Sequence, residues 1–212
     1  MSAPIDLSLY LVTDRRLASA RGVVATVRAA LAGGVTAVQL RDPDATGRDL
    51  YAAARELRDV VAGSGVPLII DDRLDVALAA GADGVHLGQS DLPADRAREL
   101  AGPHFLIGGS AGDGDELAAA DALPAGTFDY VGIGPAFATS TKMDAGAPLG
   151  VDGLARLAAA TPLPTVAIGG ISKENAAAVA ATGVDGLSVV SAICAAADPE
   201  EAARTLRDLV RT

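Results

Sequence analysis

Aromatic side chains are scarce in this sequence, 3% of 212 residues, and tryptophan is absent altogether. Without a set of rings there is no platform for stacking bases, which argues against single-stranded nucleic acid as a partner. Basic residues are also the minority, 17 against 27 acidic ones, for a formal net charge of −10. An acidic surface repels nucleic acid and anionic membranes alike, so neither is expected as a partner. Cys194 is the lone cysteine, so no internal disulfide can form. The first eleven residues carry Asp6 where a secretory leader would have basic residues, and their apolar run is too short to span a bilayer. These absences predict a cytoplasmic protein.

What is present is a hydrophobic fraction of 50%, which has to be supplied by Ala, Val, Leu and Ile. That composition suits a sheet buried on both faces and covered by Ala-rich helices, whose short side chains let them pack close. Short β-branched runs alternate with such helices along the chain. The predicted strands are Leu7–Thr13, Val35–Arg41, Val66–Ile70, Gly84–Leu87, Phe105–Gly108, Tyr130–Gly132, Thr165–Ile168 and Gly186–Val190. Helical patterns lie between them, among them Ala45–Ala62, Leu74–Ala80, Asp115–Ala122, Val151–Ala160 and Lys173–Ala181. Strand and helix in alternation imply parallel pairing with right-handed crossovers.

A faint repeat sets the count of units. AGGVTAVQL (Ala32–Leu40), AAGADGVHL (Ala79–Leu87) and ATGVDGLSVV (Ala181–Val190) each pass from a helix end through Gly into a strand. Gly34, Gly81 and Gly183 are separated by 47 and 102 residues. Those spacings are about two and four units of roughly 26 residues, the length of one of eight equal units. The expected fold is therefore α/β, a (βα)8 TIM barrel with eight parallel strands occupying residues 1–212 as one catalytic domain. An open doubly wound sheet is the alternative.

In such a barrel chemistry sits at the C-terminal ends of the strands. Three subsites follow from residue type. Ile168–Ser172 (IGGIS) and Val189–Ile193 (VVSAI) follow strands seven and eight, where glycine lets backbone N–H groups approach a phosphate. Asp72 and Asp91, from adjacent strands, offer two hard carboxylates of the kind that hold Mg²⁺ together with substrate phosphates; helix capping is the other reading of both. Arg41 can bind phosphate bidentately, and Lys142, on the long loop Gly132–Gly150, can close over it. The inventory implies substrates carrying several phosphates. His86 reads as a hydrogen-bonded core residue, His104 as a turn residue and Cys194 as an inert buried side chain.

Five segments together resemble the thiamine phosphate synthase family: LYLVTD (Leu9–Asp14), VQLRD (Val38–Asp42), LIIDDRLDVALAAGADGVHLGQSDLP (Leu68–Pro93), DYVGIGPAFATSTK (Asp129–Lys142), and AIGGISKENAAAV with GVDGLSVVSAI between Ala167 and Ile193. The resemblance implies a Mg²⁺-dependent transferase that condenses hydroxymethylpyrimidine diphosphate with thiazole phosphate, giving thiamine phosphate and diphosphate. It implies that Asp72 and Asp91 hold the metal. Gln39, Arg41 and Lys142 would grip the diphosphate, and Ser110, after strand five, would reach the diphosphate or the pyrimidine. Thr139 and Thr141 would line the thiazole phosphate side with the backbone of Gly170, Val190 and Ser191. A homo-oligomer paired through helical faces is compatible with this reading.

Three departures from the family pattern stand out. Pro43 replaces a lysine, Asp71 replaces an asparagine, and Ser110 is followed by Ala111-Gly112 where a histidine is common. The first two are expected to make the diphosphate site more negative by about two charges, at on the order of 1 kcal/mol per charge, with Asp71 a substrate-site residue or an extra metal ligand. The third separates the chain from a related thiazole tautomerase, the first alternative function; a non-catalytic phosphate-ligand binder is the second.

Overall fold

The computed structural model describes residues 5–139, 141 and 146–210. Eight parallel strands close in sequence order into a barrel, so the open-sheet alternative is excluded. The strands are β1 (Leu9–Val12), β2 (Ala37–Leu40), β3 (Leu68–Asp71), β4 (Gly84–Leu87), β5 (Leu106–Ala111), β6 (Tyr130–Ile133), β7 (Thr165–Ile168) and β8 (Gly186–Val189). The main covering helices are α2 (Val23–Ala32), α3 (Gly47–Val61), α4 (Leu74–Ala80), α5 (Ala94–Ala101), α6 (Gly114–Asp121), α7 (Gly150–Ala160), α8 (Ala176–Ala180) and α10 (Pro199–Val210). Two single turns, α1 (Arg15–Ala18) and α9 (Ser191–Cys194), follow β1 and β8 at the C-terminal end of the barrel.

Period-two alternation sorts the strand residues into two cores. Outward residues such as Leu9, Leu11, Val38, Leu68, Ile70 and Val85 pack against the helices. Inward residues Tyr10, Ala37, Ile69, Tyr130 and Val166 fill the barrel with Leu7. The helices follow their own period. In α3, Leu50, Ala54, Leu57 and Val61 form one buried stripe, and Thr46 accepts from Asp49 N at 3.2 Å to start the helix. Leu57 is completely buried, so truncation to Ala would cost about 3 kcal/mol.

The repeat seen in the sequence marks a structural device at the N-terminal end. Two residues after each repeat glycine, a side-chain oxygen caps the first residue of the preceding odd strand. Thr36 Oγ1 accepts from Leu9 N at 3.0 Å, Asp83 Oδ2 from Leu68 N at 2.8 Å, and Asp185 Oδ2 from Thr165 N at 2.7 Å. Asp129 adds the fourth member by accepting from Ile107 N at 2.7 Å. Each capping residue also donates its own backbone N–H to the carbonyl of the residue it caps. The residue before each even strand is thereby tied to the first or second residue of the preceding odd one.

One boundary corrects the sequence reading. Phe105–Gly108 was expected as strand five, with Ser110 beyond its end, but β5 runs on to Ala111. Gly108, expected as the last strand residue, and Gly109 beyond it both pair as strand residues, Gly108 with Tyr130 and Gly109 with Leu87 and Val131. A Cβ on Gly108 would overlap the ring of Tyr130, so glycine here makes room inside the barrel rather than bending the chain. Ser110 consequently sits inside the strand, held between neighbours. Asp71 likewise is the last residue of β3.

Candidate active site

A cavity of about 890 Å³ opens at the C-terminal ends of the strands. The described residues expected at the site all line it: Gln39 and Arg41 from β2, Asp71 and Asp72 from β3, Asp91 after β4, Ser110 in β5, Thr139 and Thr141 in the long loop, Gly170 after β7, and Val190 and Ser191 after β8. Lys142 lies outside the described residues.

The two metal candidates are held by local backbone. Asp72 adopts φ +60°, a left-handed conformation that few side chains other than Asp and Asn tolerate. Its N–H donates to His86 O at 2.8 Å, which ties the turn after β3 to β4. Asp91 Oδ2 accepts from Gly88 N at 2.7 Å and closes the turn after β4. The N-cap residue of α5 is Pro93, which makes no side-chain cap, so Asp91 organises its own turn rather than the helix. Two carboxylates on adjacent strand ends, facing one cavity, fit a hard divalent cation that completes its shell with water and phosphate oxygens. Among the described residues no group of three or more His, Cys, Asp or Glu forms a denser cage.

Arg41 and Asp71 face each other across adjacent strands, Nε to Oδ2 at 3.1 Å, both side chains largely shielded from solvent. Asp71 thus places its negative charge directly beside Arg41 and offsets that guanidinium. Nearby, Arg15 pairs with Asp42 at 3.0 Å and Arg16 with Asp44 at 2.6 Å, so the acidic loop after β2 is answered by α1.

The turn after β7, the candidate phosphate cradle, is held by backbone bonds. Gly169 and Gly170 take φ +100° and +64°, and a Cβ on Gly170 would meet Ala138 O and Phe137. Phe137 N donates to Gly169 O at 3.0 Å and Ala136 N to Ile168 O at 2.8 Å, which fastens the start of the long loop to this turn. Asn175 locks the other side, donating to Gly170 O and accepting from Ser172 N, both at 2.9 Å. Thr139 Oγ1 accepts from Thr141 N at 3.2 Å, keeping both threonines at the cavity wall.

Sequence reasoning missed the two tyrosines beneath the cavity. Tyr10 and Tyr130 are buried and bonded in series with Gln39: Gln39 Nε2 donates to Tyr10 Oη at 2.9 Å, and the two tyrosine hydroxyls lie 2.8 Å apart. Burial, with the Asp71 carboxylate adding, pushes both phenols well above their ordinary range, so they stay protonated. His86 continues the series, with Nδ1 3.1 Å from Tyr130 Oη and Nε2 2.9 Å from Ser110 Oγ. It is thus a hydrogen-bonded residue of the cavity wall as well as of the strand. The available signal was inward alternation: Tyr10 and Tyr130 are polar-tipped residues at inward positions of buried strands. Glu116, which accepts from Gly112 N at 2.6 Å, and Arg156 of α7 also reach the cavity and were not foreseen.

Fold and mouth together define a small (βα)8-barrel enzyme with a glycine turn after β7 and paired acids after β3 and β4. The family model described as thiamine monophosphate synthase matches residues 9–193. A thiamine-phosphate synthase of Azorhizobium caulinodans is 54% identical over 212 residues, covering 100% of this chain and 99% of the relative. One from Moorella thermoacetica is 48% identical over 202 residues, covering 95% of each. The solved thiamine phosphate pyrophosphorylase from Pyrococcus furiosus superposes with a TM-score of 0.88 at 41% identity, covering 98% of this chain and 97% of the other. This chain belongs to the thiamine monophosphate synthase family, and its activity is that of a thiamine-phosphate synthase, a transferase of thiamine biosynthesis.

Proposed function

We propose that the mouth joins 4-amino-5-hydroxymethyl-2-methylpyrimidine diphosphate to 4-methyl-5-(2-phosphoethyl)thiazole, with Mg²⁺ held by Asp72 and Asp91. When bound, the cation supplies positive charge to the diphosphate as it leaves. Arg41 and Gln39 hold the diphosphate from β2, with Lys142 closing from the loop, and Ser110 contacts the same substrate from β5. The C–O bond breaks with its electron pair leaving on diphosphate, and the thiazole ring nitrogen then bonds to the pyrimidine methylene carbon. Such a reaction needs no strong base; it needs stabilisation of the leaving charge and a closely placed nucleophile. Gly170, Val190 and Ser191 bind the thiazole phosphate through backbone N–H groups, and Thr139 and Thr141 flank it. Shielding by the long loop keeps water from capturing the pyrimidine carbocation left by that cleavage as an alcohol.

The observation that carries this reading is the convergence of two acids, Arg41 and the glycine cradle on one cavity. No helix among the described residues is long and apolar enough to cross a membrane; with the single cysteine, this supports placing the activity in the cytoplasm. The test is formation of thiamine phosphate from the two substrates, with and without Mg²⁺, in wild type, Asp72→Asn and Asp91→Asn. Turnover should need Mg²⁺ and fall about 10²–10³-fold in either variant. Unchanged turnover without Mg²⁺ and in both variants would overturn the assignment of the metal and its ligands.

A further inference from the structure

The bonded series beneath the cavity has a direction, and the direction ends at a substrate-facing hydroxyl. Gln39 is buried and turns Nε2, a pure donor, toward Tyr10 Oη at 2.9 Å. Tyr10 already accepts that bond, and its own proton points to Tyr130 Oη, 2.8 Å away. Tyr130 then accepts from Tyr10 and has its proton left for His86 Nδ1 at 3.1 Å. An imidazole that accepts at Nδ1 carries its proton on Nε2, and Nε2 lies 2.9 Å from Ser110 Oγ. Ser110 therefore accepts from His86, and its own hydroxyl proton is directed to the cavity that the residue lines. The opposite polarity would need Gln39 to present its carbonyl oxygen to Tyr10.

The surroundings fix these groups in place. Both tyrosines are fully buried, their rings meet edge to face at a centroid distance of 5.8 Å, and Gly108 is open to admit Tyr130. The Ser110 carbonyl is held by Gln89 Nε2 at 2.7 Å, so the serine is anchored by its backbone as well as its side chain. Hydrogen bonds in such a chain polarise one another in a dry interior, so the last donor is strengthened by those behind it.

We propose that Gln39, Tyr10, Tyr130 and His86 act as a polarised chain of positioning residues that commits Ser110 to donate, never accept, toward the bound pyrimidine diphosphate. A donor suits the diphosphate oxygens and the pyrimidine ring nitrogens, which are acceptors, and excludes the exocyclic 4-amino group, which donates, as the partner of Ser110 Oγ. The proposal rests on the reading of the mouth as the site of that substrate, but its first test does not.

Only two histidines, His86 and His104, occur in the chain, so ¹⁵N-histidine labelling gives an assignable spectrum of the ligand-free protein, with His104→Gln making the assignment. His86 should show a pyrrole-type, protonated Nε2 and a pyridine-type Nδ1. A proton on Nδ1, alone or together with Nε2, overturns the proposal whether or not the enzyme turns over. The second test is a double-mutant cycle on kcat. Tyr130→Phe in the wild-type background should lower kcat about tenfold, the scale of one weakened hydrogen bond in the transition state. In a Ser110→Ala background the same change should have almost no effect, because the hydroxyl it orients is gone. Equal losses in both backgrounds would mean that Tyr130 serves packing alone, and the chain would carry no positional role.

Discussion

At the N-terminal end of the barrel one hydrogen-bond device is repeated four times, by Thr36, Asp83, Asp129 and Asp185. At the C-terminal end the strands lead into different groups: β2 into Arg41, β3 into Asp71-Asp72 and β7 into Gly169-Gly170, while β5 carries Ser110 one residue from its end. The first end sets where each odd strand begins, and it does so with groups the chain itself provides. Once register is fixed from below, the upper residues are free to differ, and the bonds they make (Arg41 to Asp71, His86 to Ser110, Asp91 to Gly88) place groups around a cavity. The contrast separates stability from chemistry within single strands only four to six residues long.

That separation can be broken by experiment. The largest effect expected at the lower end is for Asp129→Ala. It removes the cap on Ile107 and the partner of Arg98, whose Nη2 lies 2.7 Å from Asp129. The Arg98 guanidinium is largely buried and its Nε already lacks a partner among the described residues. Unfolding free energy by urea titration should fall by about 2 kcal/mol, with kcat within twofold of wild type. A selective loss of kcat at unchanged stability would show that the two ends are not separable.

At the upper end the intermediate effect belongs to Asp71→Asn. Loss of the carboxylate releases Arg41 from its 3.1 Å pair. Diphosphate affinity, measured calorimetrically with Mg²⁺ present, should rise about three- to tenfold, near 1 kcal/mol for a partly solvated pair, while the unfolding midpoint moves little. Weaker binding would mean that Asp71 holds Arg41 in its productive place instead of competing for it.

The smallest effect is at Cys194, buried beneath the mouth. Burial pushes its thiol from the ordinary 9.0 up to about 11. The folded state therefore disfavours the thiolate. The associated stability is complete below about pH 9 and is lost as pH rises toward about 11. Cys194→Ala should flatten the decline in unfolding free energy over that interval and leave activity at neutral pH unchanged. A decline of equal slope in both proteins would place the alkaline sensitivity elsewhere.

Much of this architecture was legible in the chain. Gly34, Gly81 and Gly183 all adopt positive φ, as helix ends leading into strands require, and their spacing gave the eight units. Polar residues at strand exits predicted which ones share a cavity. What escaped the reading depends on partners distant in sequence. The run of β5 past Gly108 to Ala111 was missed because the ring that fills the space over Gly108 belongs to Tyr130, and the strand partners come from β4 and β6. That the charge of Asp71 falls on Arg41 was not foreseen, because their pairing across β2 and β3 is set by register. The Tyr10–Tyr130 bond joins residues 120 positions apart, and no local pattern announces it.

The central claim is that charge for the departing diphosphate is gathered at the C-terminal mouth by Asp72, Asp91 and Arg41. A crystal structure of the wild-type protein grown with Mg²⁺ and inorganic diphosphate tests it most directly. The account predicts one cation contacting both carboxylates and the diphosphate, with Gln39 and Arg41 on the anion. A cation that contacts neither aspartate, or a diphosphate bound away from this cavity, would contradict it.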